Sequence, residues 1–155
     1  MKFDTGTELP DNFILTKEFS DVYNLINDTN VNLFITGKAG SGKSTLLEYF
    51  RQNTNKNFVT LAFQGITAIK AKGQTLHSFF KFGPHFLAKE EIKLLKNKSL
   101  IQSLDTILID EISMVRADLF DAIDLSLKKN RKNNKKFGGV QMIVFGDVMQ
   151  IDPIV

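Results

Sequence analysis

The chain has 155 residues, 43% of them hydrophobic and 24% charged, with a net charge of +3 and no cysteine. That length holds one domain with a real core, while disulfides and thiolate metal sites are excluded and two histidines are too few for a zinc cluster. No apolar run approaches the ~20 residues a membrane span needs, and the opening MKFDTGTELPDNF lacks a signal-peptide core, so a cytoplasmic protein off the membrane is expected.

Thr16 to Asn27 carries Phe19, Val22, Tyr23 and Ile26 at helical steps behind a capping Thr16, which predicts a lead-in helix. Val31 to Thr36, Phe58 to Phe63, Thr106 to Ile109 and Val140 to Phe145 are rich in β-branched and aromatic residues. Their apolar positions are consecutive rather than alternating, as in strands covered on both faces of a parallel sheet. Between them, Leu46, Leu47 and Phe50 within Ser44 to Gln52, and then Val115, Leu119, Ile123 and Leu127, repeat at helical spacing. Alternating strands and helices predict an α/β fold. The run Lys128 to Lys136 holds six basic residues in nine. It precedes the fourth strand and so falls at the edge opposite the loops that follow strands, which predicts a solvated loop rather than a binding site.

The pattern G-x-x-x-x-G-K-[ST] is met by Gly37, Gly42, Lys43 and Ser44, with a further glycine at Gly40, between a predicted strand and a predicted helix. Glycines let backbone N–H groups turn inward around phosphates, and the helix N-terminus adds a favourable dipole. The candidate nucleotide contacts are therefore Gly37, Gly40, Ser41, Gly42, Lys43, Ser44 and Thr45. Lys43 would reach the β/γ oxygens, and the Ser44 hydroxyl would hold Mg²⁺.

The third predicted strand ends abruptly in Asp110-Glu111. Beside a phosphate loop, Asp110 would bind Mg²⁺ through water and Glu111 would orient and deprotonate the attacking water; the alternative is a solvated strand end. The fourth strand ends in Gly146-Asp147-Val148-Met149-Gln150, where Gln150 either senses a γ-phosphate or satisfies loop backbone.

Together, GKAGSGKST, ILIDEISMVRADLFDAID and GGVQMIVFGDVMQIDPI resemble motifs I, II and III of the Pif (petite integration frequency) DNA helicases, relatives of RecD in helicase superfamily one, from about Leu15 onward. The resemblance implies a P-loop NTPase with a RecA-like parallel β-sheet flanked by α-helices. Residues 1–30 would form a lead-in segment and helix, and residues 31–155 a first RecA-like ATPase domain without its second. It implies ATP and Mg²⁺ as cofactors, Gln150 as γ-phosphate sensor, and five-prime to three-prime movement along single-stranded DNA by the complete enzyme. It also implies that the motif III strand lies between the strands carrying motifs I and II.

Between motifs I and II, Ala62-Phe63-Gln64-Gly65-Ile66-Thr67-Ala68 and Gly73-Gln74-Thr75-Leu76-His77-Ser78-Phe79-Phe80 resemble the family's DNA-contact segment. Phe63 and Gln64 replace its usual Pro and Thr. The candidate strand contacts are Gln64, Gly65, His77 and Ser78, with charge added by Lys70 and Lys72. Phe79, Phe80, Phe82 and Phe86 either stack bases or fill the core. Phe19 stands where family members often place an adenine-reading Gln. A monomer is expected, and a stand-alone nucleotide-binding regulatory module or a small-molecule kinase are the rival readings.

Overall fold

The computed structural model describes residues 17–36, 43–62, 65–70, 72–82, 92–110 and 117–146. Helix α1 (Lys17–Asp28) leads into β1 (Leu33–Thr36), and α2 (Lys43–Asn53) into β2 (Phe58–Ala62). There follow α3 (Gly65–Lys70), β3 (Gln74–Thr75) and α4 (Leu76–Phe80), then α5 (Lys98–Ser103), β4 (Thr106–Asp110), α6 (Ala117–Arg131) and β5 (Gln141–Gly146). The strands form one parallel sheet in the order β1-β5-β4-β2-β3.

Burial on both faces explains why the strands read as continuous apolar runs. Every residue of β4 and β5 is buried. Successive side chains face opposite sides of the sheet, and the core divides accordingly. Leu108, Ile143 and Phe145 pack with Ile26 of α1 and Leu46, Leu47 and Phe50 of α2. Ile107, Ile109, Met142 and Val144 pack on the other face with Phe79 and Phe80 of α4, Ile101 of α5, and Leu119, Ile123 and Leu127 of α6. A fully buried side chain of this kind contributes roughly 1.5–3 kcal/mol. Phe50, Phe80 and Phe145 are the largest of them.

The edge before the strands is bound by side-chain hydrogen bonds. Lys56 Nζ donates to the carbonyls of Ile26 and Thr29, both at 2.6 Å, and to Gln141 Oε1 at 2.8 Å. Gln141 Nε2 donates to the carbonyls of Thr29 and Val31, and its Oε1 also accepts from Thr106 Oγ1. Burial lowers the Lys56 pKa, partly offset by Asp105 and Asp28.

The basic run departs from the expected loop. Helix α6 continues through Arg131, followed by a tight turn at Lys136–Gly139. Arg131 Nη1 donates to the carbonyls of Ile101 (2.6 Å) and Leu104 (3.0 Å), and its Nε to Gly138 (2.8 Å), closing the end of α5 onto α6. Lys128 pairs with Asp124 and Lys129 donates to the carbonyl of Ile92. Half of the run is structural, and it lies before β5, at the expected edge.

Candidate nucleotide and strand site

All five strands are parallel, so the chain leaves β1, β5, β4 and β2 at one edge of the sheet. Thr36 is level with Gly146, and Ala62 with Asp110. β5 lies between β1 and β4, as the resemblance implied. The segments carrying Gly37, Gly40, Ser41 and Gly42, then Glu111, then Gln150, therefore begin at three adjacent strand ends, with Gln64 following the next. These seven residues, and Phe86, lie outside the described ones. Lys43 and Ser44 open α2, with their backbone described; Thr45, beside them, is partly buried.

Asp110 is 8% exposed and ends β4. It alternates with Ile109, on the same side of the sheet as Leu108, which packs in the α1 and α2 cluster. Its carboxylate thus belongs to the face covered by the helix that begins at Lys43. Carboxylate and serine hydroxyl are hard oxygen donors, which fit Mg²⁺. Among the described residues no group of three or more His, Cys, Asp or Glu could hold a metal ion.

The strand-contact candidates divide. Gly65 is exposed at the start of α3, and a Cβ there would meet nothing within 4 Å. Ser78 is exposed; its N–H donates to Thr75 Oγ1 at 3.1 Å, capping α4. His77 is half-buried with its ring perpendicular to that of Phe82, centroids 6.3 Å apart. Phe79, Phe80 and Phe82 are core, at 8%, 1% and 8% exposure, with Phe80 and Phe82 stacked; this resolves the choice between stacking platform and core for these three. Lys72 also departs from expectation, because its side chain is buried against Glu48 rather than offered to phosphate. Gly73 is fixed by packing, with its N–H given to the Ala68 carbonyl. Phe19 meets Tyr49 edge-on at 5.4 Å, holding α1 against α2.

Sequence reasoning missed the Glu48 pairing: Glu48 sits on α2 and is 7% exposed.

The family model described as PIF1-like helicase matches residues 14–155. The chain belongs to that family. Within it, the chain is 33% identical over 151 residues to the ATP-dependent DNA helicase RRM3 of Saccharomyces cerevisiae, covering 91% of this chain and 21% of that protein. It is 36% identical to the ATP-dependent DNA helicase PIF1 of Danio rerio, covering 90% and 22%. The structure of Pif1 helicase from Bacteroides in complex with ADP-AlF3 and ssDNA superposes with a TM-score of 0.81 at 41% identity, covering 93% of this chain and 34% of that one. Unliganded Pif1 from Bacteroides sp. gives 0.81 at 40% identity. The chain spans about a fifth of the length of these curated relatives. The fold is that of a RecA-like P-loop α/β domain. Among the described residues no helix is long and apolar enough to cross a membrane.

Proposed function

We propose that this PIF1-like chain is the ATP-binding part of a motor that hydrolyses ATP to move five-prime to three-prime along single-stranded DNA. The observation that carries the reading is the placement of Asp110, buried at the end of β4 on the face covered by α2, one strand removed from the β1 end that leads into the glycine loop. The names of its relatives, ATP-dependent DNA helicases, and the strand and nucleotide analogue in a structural neighbour support it.

In this reading Gly37, Gly40, Ser41, Gly42 and Thr45 surround the phosphates, and Lys43 neutralises the β/γ oxygens. Ser44 and Asp110 hold Mg²⁺, which when bound offsets charge on the phosphate oxygens. Glu111 accepts the proton of the attacking water and Gln150 senses the γ-phosphate. Gln64, Gly65, His77 and Ser78 face the strand. A second RecA-like domain of the same protein supplies the charge-stabilising arginine, worth ~10³–10⁵ in rate, or roughly 4–7 kcal/mol of barrier. Without that arginine, turnover by the 155-residue chain alone is weak.

Titration of an ATP analogue with Mg²⁺ tests the nucleotide site: Lys43→Ala abolishes or greatly weakens binding, and unchanged affinity removes the loop assignment. In the complete enzyme, Glu111→Gln keeps ATP binding and loses hydrolysis; normal turnover removes Glu111 as base. Strand affinity falls with salt as phosphate contacts release counterions. Nucleotide binding with no strand binding by the complete protein would favour a regulatory module instead.

A further inference from the structure

Glu48 Oε1 accepts from Gln52 Nε2 at 3.1 Å, and Oε2 accepts from Arg51 Nη1 at 3.2 Å and stands 3.6 Å from Lys72 Nζ. Gln52 and Arg51 belong to α2 itself; of these partners, Lys72 alone belongs to another element. Lys72 sits just past α3, and its ammonium is buried. At 3.6 Å the Glu48 contact is an ion pair beyond hydrogen-bond length, and among the described residues Lys72 Nζ has no hydrogen-bond acceptor.

The backbone at Lys72 adds a second cost. Its φ is 59°, in the left-handed region that disfavours a side chain. Lys72 N donates to the Ile69 carbonyl at 3.1 Å and Gly73 N to the Ala68 carbonyl at 2.8 Å, the paired bonds that close a helix where glycine is usual. Glycine would end α3 without strain and without burying an ammonium. What lysine adds is the reach to Glu48. The next residue fixes the turn to the sheet, because a Cβ on Gly73 would lie 1.8 Å from the Thr60 carbonyl oxygen.

We propose that the Glu48–Lys72 pair is a positioning contact coupling nucleotide occupancy to strand binding. α2 begins at the phosphate-loop lysine and serine, and α3 begins at the exposed Gly65 of the strand segment. A small shift of α2 on binding phosphate would lengthen the pair or close it to hydrogen-bond distance, and the end of α3 would follow. This inference rests on the nucleotide and strand site proposed above and names a link within it.

The test uses the chain with a fluorescent oligothymidine strand, titrated with and without a non-hydrolysable ATP analogue and Mg²⁺. Wild type is expected to show strand affinities that differ by about fivefold or more between the two conditions. In Lys72→Gly the ratio falls to about one, while the thermal midpoint stays at or above wild type because the strain is relieved. Lys72→Arg restores the ratio. Glu48→Gln, which keeps the shape but removes the charge, also loses it. A wild-type ratio in folded Lys72→Gly or Glu48→Gln overturns the coupling role and leaves the functional reading intact, as does a wild-type chain that binds both ligands with a ratio near one. A wild-type chain that binds no nucleotide removes both the coupling and the nucleotide-site reading, and one that binds nucleotide but no oligothymidine overturns the coupling in this chain while the strand reading is decided on the complete protein.

Discussion

Lys56 and Gln141 meet at 2.8 Å across 85 residues of sequence, joining the entry to β2 with the first residue of β5 at the edge away from the candidate site. Because Lys56 also serves two backbone carbonyls, Lys56→Met leaves the Ile26 carbonyl without this donor. Hydrogen bonds from charged groups contribute ~1.5–3 kcal/mol each, less what water recovers. A loss of about 2–3 kcal/mol is expected, read from the urea midpoint at unchanged m-value. A change within about 0.5 kcal/mol would show the contact to be dispensable.

Two glycines separate packing from access. Gly73→Ala drives a methyl into the Thr60 carbonyl and is expected to cost about 2–3 kcal/mol by overpacking. Gly65→Ala meets no neighbour and should leave the melting temperature unchanged. If Gly65 faces the strand, Gly65→Ala still weakens oligothymidine binding; equal affinity would remove it from the contact set.

Asp110→Asn keeps the shape of a buried side chain and removes its charge. Magnesium-dependent ATP affinity should fall on the order of 10–100-fold, while nucleotide binding in EDTA changes little. A variant indistinguishable from wild type in magnesium would confine Asp110 to a structural role.

Tyr23 supplies a pH signature. Burial, then the neighbouring Tyr49 and Asp28, raise its pKa above the ordinary 10.0. The folded state therefore holds the phenol proton more tightly than the unfolded chain. The resulting stability is fully present below pH 10.0 and is lost as pH rises through the higher folded value. Denaturation of wild type minus Tyr23→Phe should show this alkaline loss; a flat difference would mean Tyr23 titrates normally.

Four strands and three helices were legible because each carries a long apolar signature: β4 and β5 are buried on both faces, and α1, α2 and α6 each present one buried stripe. β3 has two residues, and α3, α4 and α5 have five or six, too short for a period to register. Val31 looks like strand because it is apolar, yet β1 starts at Leu33 and Val31 is 43% exposed. Charge and position before the fourth strand make the basic run look like a solvated loop, whereas Arg131 uses its guanidinium to bind carbonyls of α5, a long-range role that neither reveals. The sheet order came through resemblance; no periodicity orders parallel strands. For the site, Asp110 stood out as a carboxylate ending an apolar run. The Glu48–Lys72 pair stayed hidden because it depends on where α3 ends.

β5 is the last of the described strands in sequence and yet lies between β1 and β4, pairing Leu33 with Ile143 on one side and Leu108 with Ile143 on the other. On the ribosome, the first strand and the remaining three cannot meet until residue 146 has cleared the exit tunnel. Until then two inner borders stay raw and sticky. Exposed strand borders of that kind are what favours misassembly in a nascent polypeptide.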